Sequence, residues 1–318
     1  MPFTIAGEGK AITTVEPRWL GVGQERVAKV HRCRGPEAGN VGTVERLPHP
    51  VTGALMTSPA TPGDGWPGDA ATSDTPRANS AIDVRRLASD AADLTELSAR
   101  LTVCRACPRL VAWREECAHV KKAAYADQPY WGRPVAGFGD TKPWLLAFGL
   151  APAANGGNRT GRNFTGDPSA AWLFEALHRA GLATLPTSDN AGDGQRLTGV
   201  RLLNPLRCAP PKNKPTPAEL STCAPWVARE LELVLPAARV VLCLGAIGWS
   251  AALAALASAG VDIPRPRPKF CHGAEATVAG LHLIGCYHPS PHNTYTGRLT
   301  HQMFDEIITR ATQLAEQA

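Results

Sequence analysis

His288-Pro289-Ser290-Pro291-His292-Asn293 follows directly on the apolar run Leu281-His282-Leu283-Ile284-Gly285-Cys286-Tyr287. A short apolar run closed by Pro and Ser reads as a buried strand, so His288 sits at a strand's carboxyl edge. Open α/β sheets place ligand chemistry at that edge. Two further strands end in comparable polar loops. Leu145-Leu146-Ala147-Phe148 runs into the loop from Gly149 to Arg159, and Val200-Arg201-Leu202-Leu203 runs into Asn204-Pro205-Leu206-Arg207-Cys208. Three strands thus deliver backbone amides, an amide side chain and an imidazole to one rim, the arrangement of an active site.

Outward from these strands, helix and strand signals alternate from residue 143 onward. Asp167 is a candidate N-cap, with Pro168 at the first position of a helix to Ala180. Thr216-Pro217-Ala218-Glu219 matches a capping box opening a helix to about Leu235. Arg239 to Leu244 reads as a strand, and Ile247 to Ala259 as a helix. Ala276 to Tyr287 reads as a hairpin turning at Ala279-Gly280, and Thr300 to Ala315 as the last helix. The alternation predicts an α/β fold, a mainly parallel sheet with helices on both faces. Pattern alone leaves the strand order open.

The chain has 318 residues, a net charge of +5 and a pI near 8.8, mildly basic and compatible with a polyanionic partner. Residues 1–90 are rich in Gly, Pro, Thr, Ser and Asp and carry few sustained apolar runs. Such a stretch is expected to be a disordered extension ahead of one domain at 91–318. Met56 opens a more typical linker, so residues 1–55 are open to being the product of a misplaced start codon. No run approaches the roughly 20 apolar residues of a spanning helix, and no secretory signal is visible. A soluble, cytoplasmic monomer is the expectation.

Nine cysteines in such a chain argue for metal or cluster ligation rather than disulfides. Cys243 and Cys286 lie inside strands, and Cys33, Cys117 and Cys271 are isolated. The informative four are Cys104 and Cys107, a C-x-x-C at the head of an amphipathic helix, with Cys208 and Cys223, which bracket a basic, Pro-rich loop. A redox pair would sit on a thioredoxin-like unit, which the pattern lacks. Zinc and an iron–sulfur cluster both remain open on residue chemistry.

The blocks GLAPAANGGNRTGRNFTGD (149–167), NPLRC (204–208) and HPSPHNTYTGRLT (288–300), with the four cysteines, resemble the uracil-DNA glycosylase superfamily over about residues 98–315. The resemblance is closest to family 5, the iron–sulfur type B enzymes. Other families place an acidic or amide residue where this chain has Leu150 and Ala151. The G-E-x-P-G pattern of family 4 and the His-bearing insert of the adduct-forming branch are both absent. The resemblance implies a three-layer α/β/α fold and a [4Fe-4S] cluster on Cys104, Cys107, Cys208 and Cys223. It also implies excision from DNA of uracil and of other deaminated bases such as hypoxanthine.

Cleaving an N-glycosidic bond requires a flipped base, a stabilised sugar cation and a stabilised base anion. The resemblance makes Phe164 the stacking platform, and Ala151 is counted with it among the base-contacting residues. Asn204 can offer donor and acceptor to the base edge. His288 can donate to the base carbonyl where charge develops. Asp167, the only carboxylate in the first block, either orients water and the sugar cation, or caps a helix, or does both. Arg159, Arg162, Lys212, Lys214 and Arg298 lie on loops where phosphates would pass, and His292 and Asn293 on a loop placed to enter the vacated duplex. A non-catalytic cluster- or zinc-containing nucleic-acid-binding module would need no base pocket, so Phe164, Asn204 and His288 together favour the enzyme.

Overall fold

The computed structural model describes residues 45–317. Its centre is a six-stranded sheet. The strands are β3 (Phe138–Gly139), β4 (Leu145–Phe148), β5 (Val200–Leu203), β6 (Val240–Leu244), β7 (Glu275–Val278) and β8 (Leu281–Cys286), in spatial order β3-β5-β4-β6-β8-β7. The four inner strands are parallel and buried except at His282 of β8, while β3 and β7 pair antiparallel at the edges. The β7–β8 turn falls at Ala279 and Gly280, both at positive φ, which closes a two-residue hairpin.

Alternation along each strand sorts side chains into two cores. Leu145 and Ala147 face one side with Leu202 and Leu242, under α5 (Pro168–Arg179) and α9 (His301–Glu316). Leu146 and Phe148 face the other with Val241 and Cys243, under α6 (Pro217–Val234) and α7 (Gly245–Ser258). This is the expected three-layer α/β/α arrangement. From β4 the chain reaches one neighbour, β5, through α5. It then passes to the other neighbour, β6, through α6 on the opposite face. The order therefore reverses at β4, and a crevice opens at the carboxyl ends of the strands there.

The caps formed as expected. Thr216 and Glu219 make a reciprocal capping box, and Asp167 caps α5. The C-x-x-C stands at the head of a helix as expected: α2 (Leu94–Thr102) stops, the chain turns through Cys104, and α3 (Pro108–Val120) begins after Cys107. Pro108 at the first position of α3 fixes that break.

The expectation of disorder up to residue 90 fails for residues 45–90; residues 1–44 lie outside the described part. Arg46–Pro48 (β1) pairs with Leu55–Thr57 (β2), and Met56 is fully buried, so the fold includes residues ahead of Met56. Trp66 is 2% exposed, packs with Trp131, and donates from Nε1 to the carbonyl of Thr160 at 3.2 Å. Asp69 pairs with Arg133 at 2.7 Å, and Ala81–Ser89 (α1) packs beside α2 and α6. The segment's few apolar groups could not form a core alone, but they bury against a surface the domain supplies. Composition read in isolation misses that gain.

Candidate active site

The carboxyl ends of β4, β5, β6 and β8 surround an open cleft of about 700 Å³, within the size range of small-ligand sites. Ala151, Phe164, Asp167, Asn204, His288, Asn293 and Arg298 all line it. Among the described residues Asp167 is the only carboxylate on its wall and His288 the only imidazole.

Phe164 stands at φ +49°, a left-handed conformation unusual for an aromatic residue, and Gly161 and Gly166 on either side are also left-handed. Strain of this kind persists only where the surroundings over-determine it. Here the loop is pinned from both ends. Asn163 donates to the carbonyl of Leu202 at 3.3 Å, and Asn158 to that of Arg114 at 3.2 Å. Gly149 completes the platform, since a Cβ there would lie 2.5 Å from Phe164 Cζ and 2.7 Å from Asn204 Oδ1.

Asn204 is buried. Its Nδ2 donates to Asn163 Oδ1 at 2.5 Å, while its Oδ1 has no protein partner. Asn163 thus takes one of the two Nδ2 hydrogens and orients the amide, leaving Oδ1 as an acceptor for a ligand. A buried unpaired acceptor is costly unless something occupies it.

His288 is half-buried, and burial lowers its pKa, so the imidazole is neutral near pH 7. Asn293 Nδ2 donates to the His288 carbonyl at 2.8 Å, and a Cβ on Gly245 would lie 3.1 Å from the His288 Cβ. Asp167 Oδ1 accepts from the backbone N–H groups of Ser169 and Ala170, each at 3.0 Å. Its Oδ2 takes no part in the cap. Burial raises the Asp167 pKa, while the two cap bonds and the Arg159 charge oppose the rise.

Two of the expected phosphate contacts are corrected. Arg159 is buried, stacks on Tyr125 at 4.0 Å, and donates to Asn155 O, Gln128 Oε1 and Gly166 O. Arg162 is buried in an ion pair with Asp193 and donates also to Thr165 and Ser188. Both brace the strained loop from behind, buried and held by partners within the protein. Lys212, Lys214, His292 and Arg298 are exposed, as phosphate contacts require. Lys212, at φ +55°, faces a groove that continues from the cleft past Asp167 to Trp113, Lys122 and Tyr125. Asn293 serves the His288 loop. Asn163, Gly149 and Gly245 escaped sequence reasoning because their roles are contacts between segments far apart in the chain.

Behind the cleft, Cys104, Cys107, Cys208 and Cys223 line a single cavity with Leu101, Leu110, Leu206 and Trp226. Burial raises the thiols of Cys104 and Cys223, and that of Cys107 to about 11, with neighbouring thiols adding to the rise. Such thiols ionise when a metal centre replaces the proton. Four buried donors of residues lining this cavity lack protein partners: Arg114 Nε, Arg207 Nε, Arg207 Nη1 and Trp226 Nε1. Buried N–H groups are rarely left unpaired, so a cavity with this lining suits an acceptor-rich group.

The Uracil DNA glycosylase superfamily model matches residues 136–312. The type-5 uracil-DNA glycosylase of Mycobacterium tuberculosis is 53% identical over 268 residues, 84% of this chain and 98% of the relative. That of Thermus thermophilus is 52% identical over 216 residues, 68% of this chain and 95% of its own. The type-4 uracil-DNA glycosylase of Archaeoglobus fulgidus is 30% identical over 112 residues, covering 35% of this chain and 48% of its own. With the cleft at the strand ends and this agreement over nearly the whole length of the type-5 proteins, the chain belongs to the uracil-DNA glycosylase superfamily, in its type-5 branch.

Proposed function

We propose that this chain excises uracil from DNA by hydrolysing the N-glycosidic bond, the first step of base excision repair. The observation that carries this reading is the unpartnered Asn204 Oδ1 beside Phe164. A flipped base stacks on Phe164, and its imide N–H donates to Asn204 Oδ1. Cytosine presents a lone pair at that edge and is repelled. The neutral His288 imidazole donates to a carbonyl oxygen of the leaving base, where negative charge grows. Asp167 keeps its Oδ1 on α5 and turns Oδ2 to the attacking water or the sugar cation. Extrusion costs a few kcal/mol, which the base pocket and phosphate contacts offset. Hypoxanthine carries an N–H next to a carbonyl and satisfies the same pair of groups, so it belongs to the proposed substrate range.

The four cysteines are proposed to hold a [4Fe-4S] cluster. Support comes from the shared cavity, the raised thiols and the four orphaned donors. Four thiols lining one cavity match the one thiolate per iron that such a cluster takes. Such a group supplies cross-links between the Cys104–Cys107 turn and the Cys208–Cys223 loop rather than chemistry on the base. A working monomer is part of the proposal. No helix among the described residues is long and apolar enough to cross a membrane, and the cytoplasm is the proposed compartment.

The test is incubation with single- and double-stranded oligonucleotides carrying one uracil, hypoxanthine or cytosine, followed by alkali. Scission at uracil and not at cytosine is expected. Absence of scission at uracil in metal-replete protein would remove the enzyme reading and leave a nucleic-acid-binding module.

A further inference from the structure

We propose that Arg114 and Arg207 are built-in counter-cations for the group on the four cysteines, and that they set how readily it takes up an electron. This rests on the cluster reading above. Arg114 lies on α3 and is only 2% exposed. Its Nη1 donates to Cys208 Sγ at 3.0 Å and its Nη2 to the Cys104 carbonyl at 2.9 Å. Its partners are therefore a sulfur and a carbonyl, not a carboxylate, and its Nε is unpaired.

Arg207, just before Cys208, is 1% exposed and lines the same cavity. It shares Glu230 with Arg201, so these three groups together keep one positive charge. With Arg114, two cationic charges remain buried beside the thiols. The nearby pairs Arg109–Glu219 and Arg105–Glu115 cancel. Buried charge without a counter-charge is strongly unfavourable. Four thiolates around a doubly positive [4Fe-4S] core carry two negative charges, which matches the surplus.

Net charge and hydrogen bonds to the sulfurs are the protein's main controls over cluster potential. One electron from an electrode takes the core from 2+ to 1+ and adds a third negative charge. Cations at Arg114 and Arg207 favour that state. Removing one should therefore lower the potential, whereas a merely structural role would change stability alone.

The experiment is protein-film voltammetry on the anaerobically isolated full chain, with iron, acid-labile sulfide and melting temperature measured on each sample. Arg114→Gln is expected to shift the equilibrium at least tenfold toward the oxidised form, about 59 mV for one electron. Arg114→Lys, which keeps the charge, is expected to move it less. Arg114→Gln with full iron and sulfide and an unmoved potential would overturn the proposal. If that variant fails to assemble, Arg207→Gln carries the same expectation and the same refutation. Wild-type protein holding zinc, or no iron and sulfide, would overturn the cluster reading itself and the proposal with it, while uracil excision is judged separately by its own assay.

Discussion

Asp167→Asn and Asp167→Ala separate the helix cap that this carboxylate makes from the catalytic task proposed for it. Oδ1 accepts two backbone N–H groups at the start of α5, and Oδ2 lies outside that cap, against the space left open by Gly156. Asparagine keeps an Oδ1 in the same place, and Asn and Asp cap about equally well, so the Asn variant should lose at most a few tenths of a kcal/mol. Alanine loses both cap bonds, at about 1 kcal/mol, or about 2–4 °C of Tm for a domain of this size. Both changes remove the anionic Oδ2, and turnover should fall about 10²-fold or more in each. The assay is single-turnover excision from a uracil-containing oligonucleotide, quenched by alkali, beside thermal melts of the same samples. The expected pattern is two equally slow variants of which only the Ala variant melts early. An Asn variant with wild-type turnover would refute the catalytic half and leave Asp167 as a cap, with catalysis resting on the His288 donor.

His288→Ala should cut turnover about 10²–10³-fold with binding of uracil-containing DNA retained; equal losses in both would mark a structural histidine. Excision should fall on acidification. The reaction needs Asp167 ionised and His288 neutral; burial raises the Asp167 pKa above 3.8 and lowers that of His288 below 6.5, so both forms are lost as pH falls from 6.5 toward 3.8, and a flat rate profile across that interval would contradict these roles. Gly149→Ala places a methyl 2.5 Å from Phe164 and 2.7 Å from Asn204 Oδ1; it should abolish excision while costing about 1–3 kcal/mol in melts, and normal activity would show that the base does not sit there. Trp66→Ala should cost about 3–5 kcal/mol in denaturant unfolding; an unchanged midpoint would mean that residues 45–80 add nothing to the fold.

The layered fold was legible because its signals are local. Val240–Leu244 and Leu281–Cys286 are short apolar runs, Thr216 and Glu219 stand three residues apart, and Pro168 follows its cap. Each is settled by neighbours in sequence, so the elements fall within about two residues of where the pattern puts them. The reversal of strand order at β4 was not legible, because it depends on which face each crossover helix packs.

The base site divides along the same line. Phe164, Asn204, Asp167 and His288 stand at strand ends and in distinctive blocks, and sequence singled out all four. What sequence could not decide was the use of each polar atom. Asn163 and Asn204 are 41 residues apart, and their bond fixes which way the amide points its unpartnered Oδ1. Arg159 and Arg162 read as phosphate ligands by position, but Gln128 and Asp193, each 31 residues away, consume them.

Sequence by itself determined the elements and the family, and named the residues that line the cleft, since these follow from local periodicity, capping and residue identity. Tertiary structure alone decided that residues 45–90 are ordered, which arginines are buried, and which donors remain for a ligand. A hydrogen bond or a buried face is shared between segments distant in the chain, and only the folded backbone fixes which atoms meet.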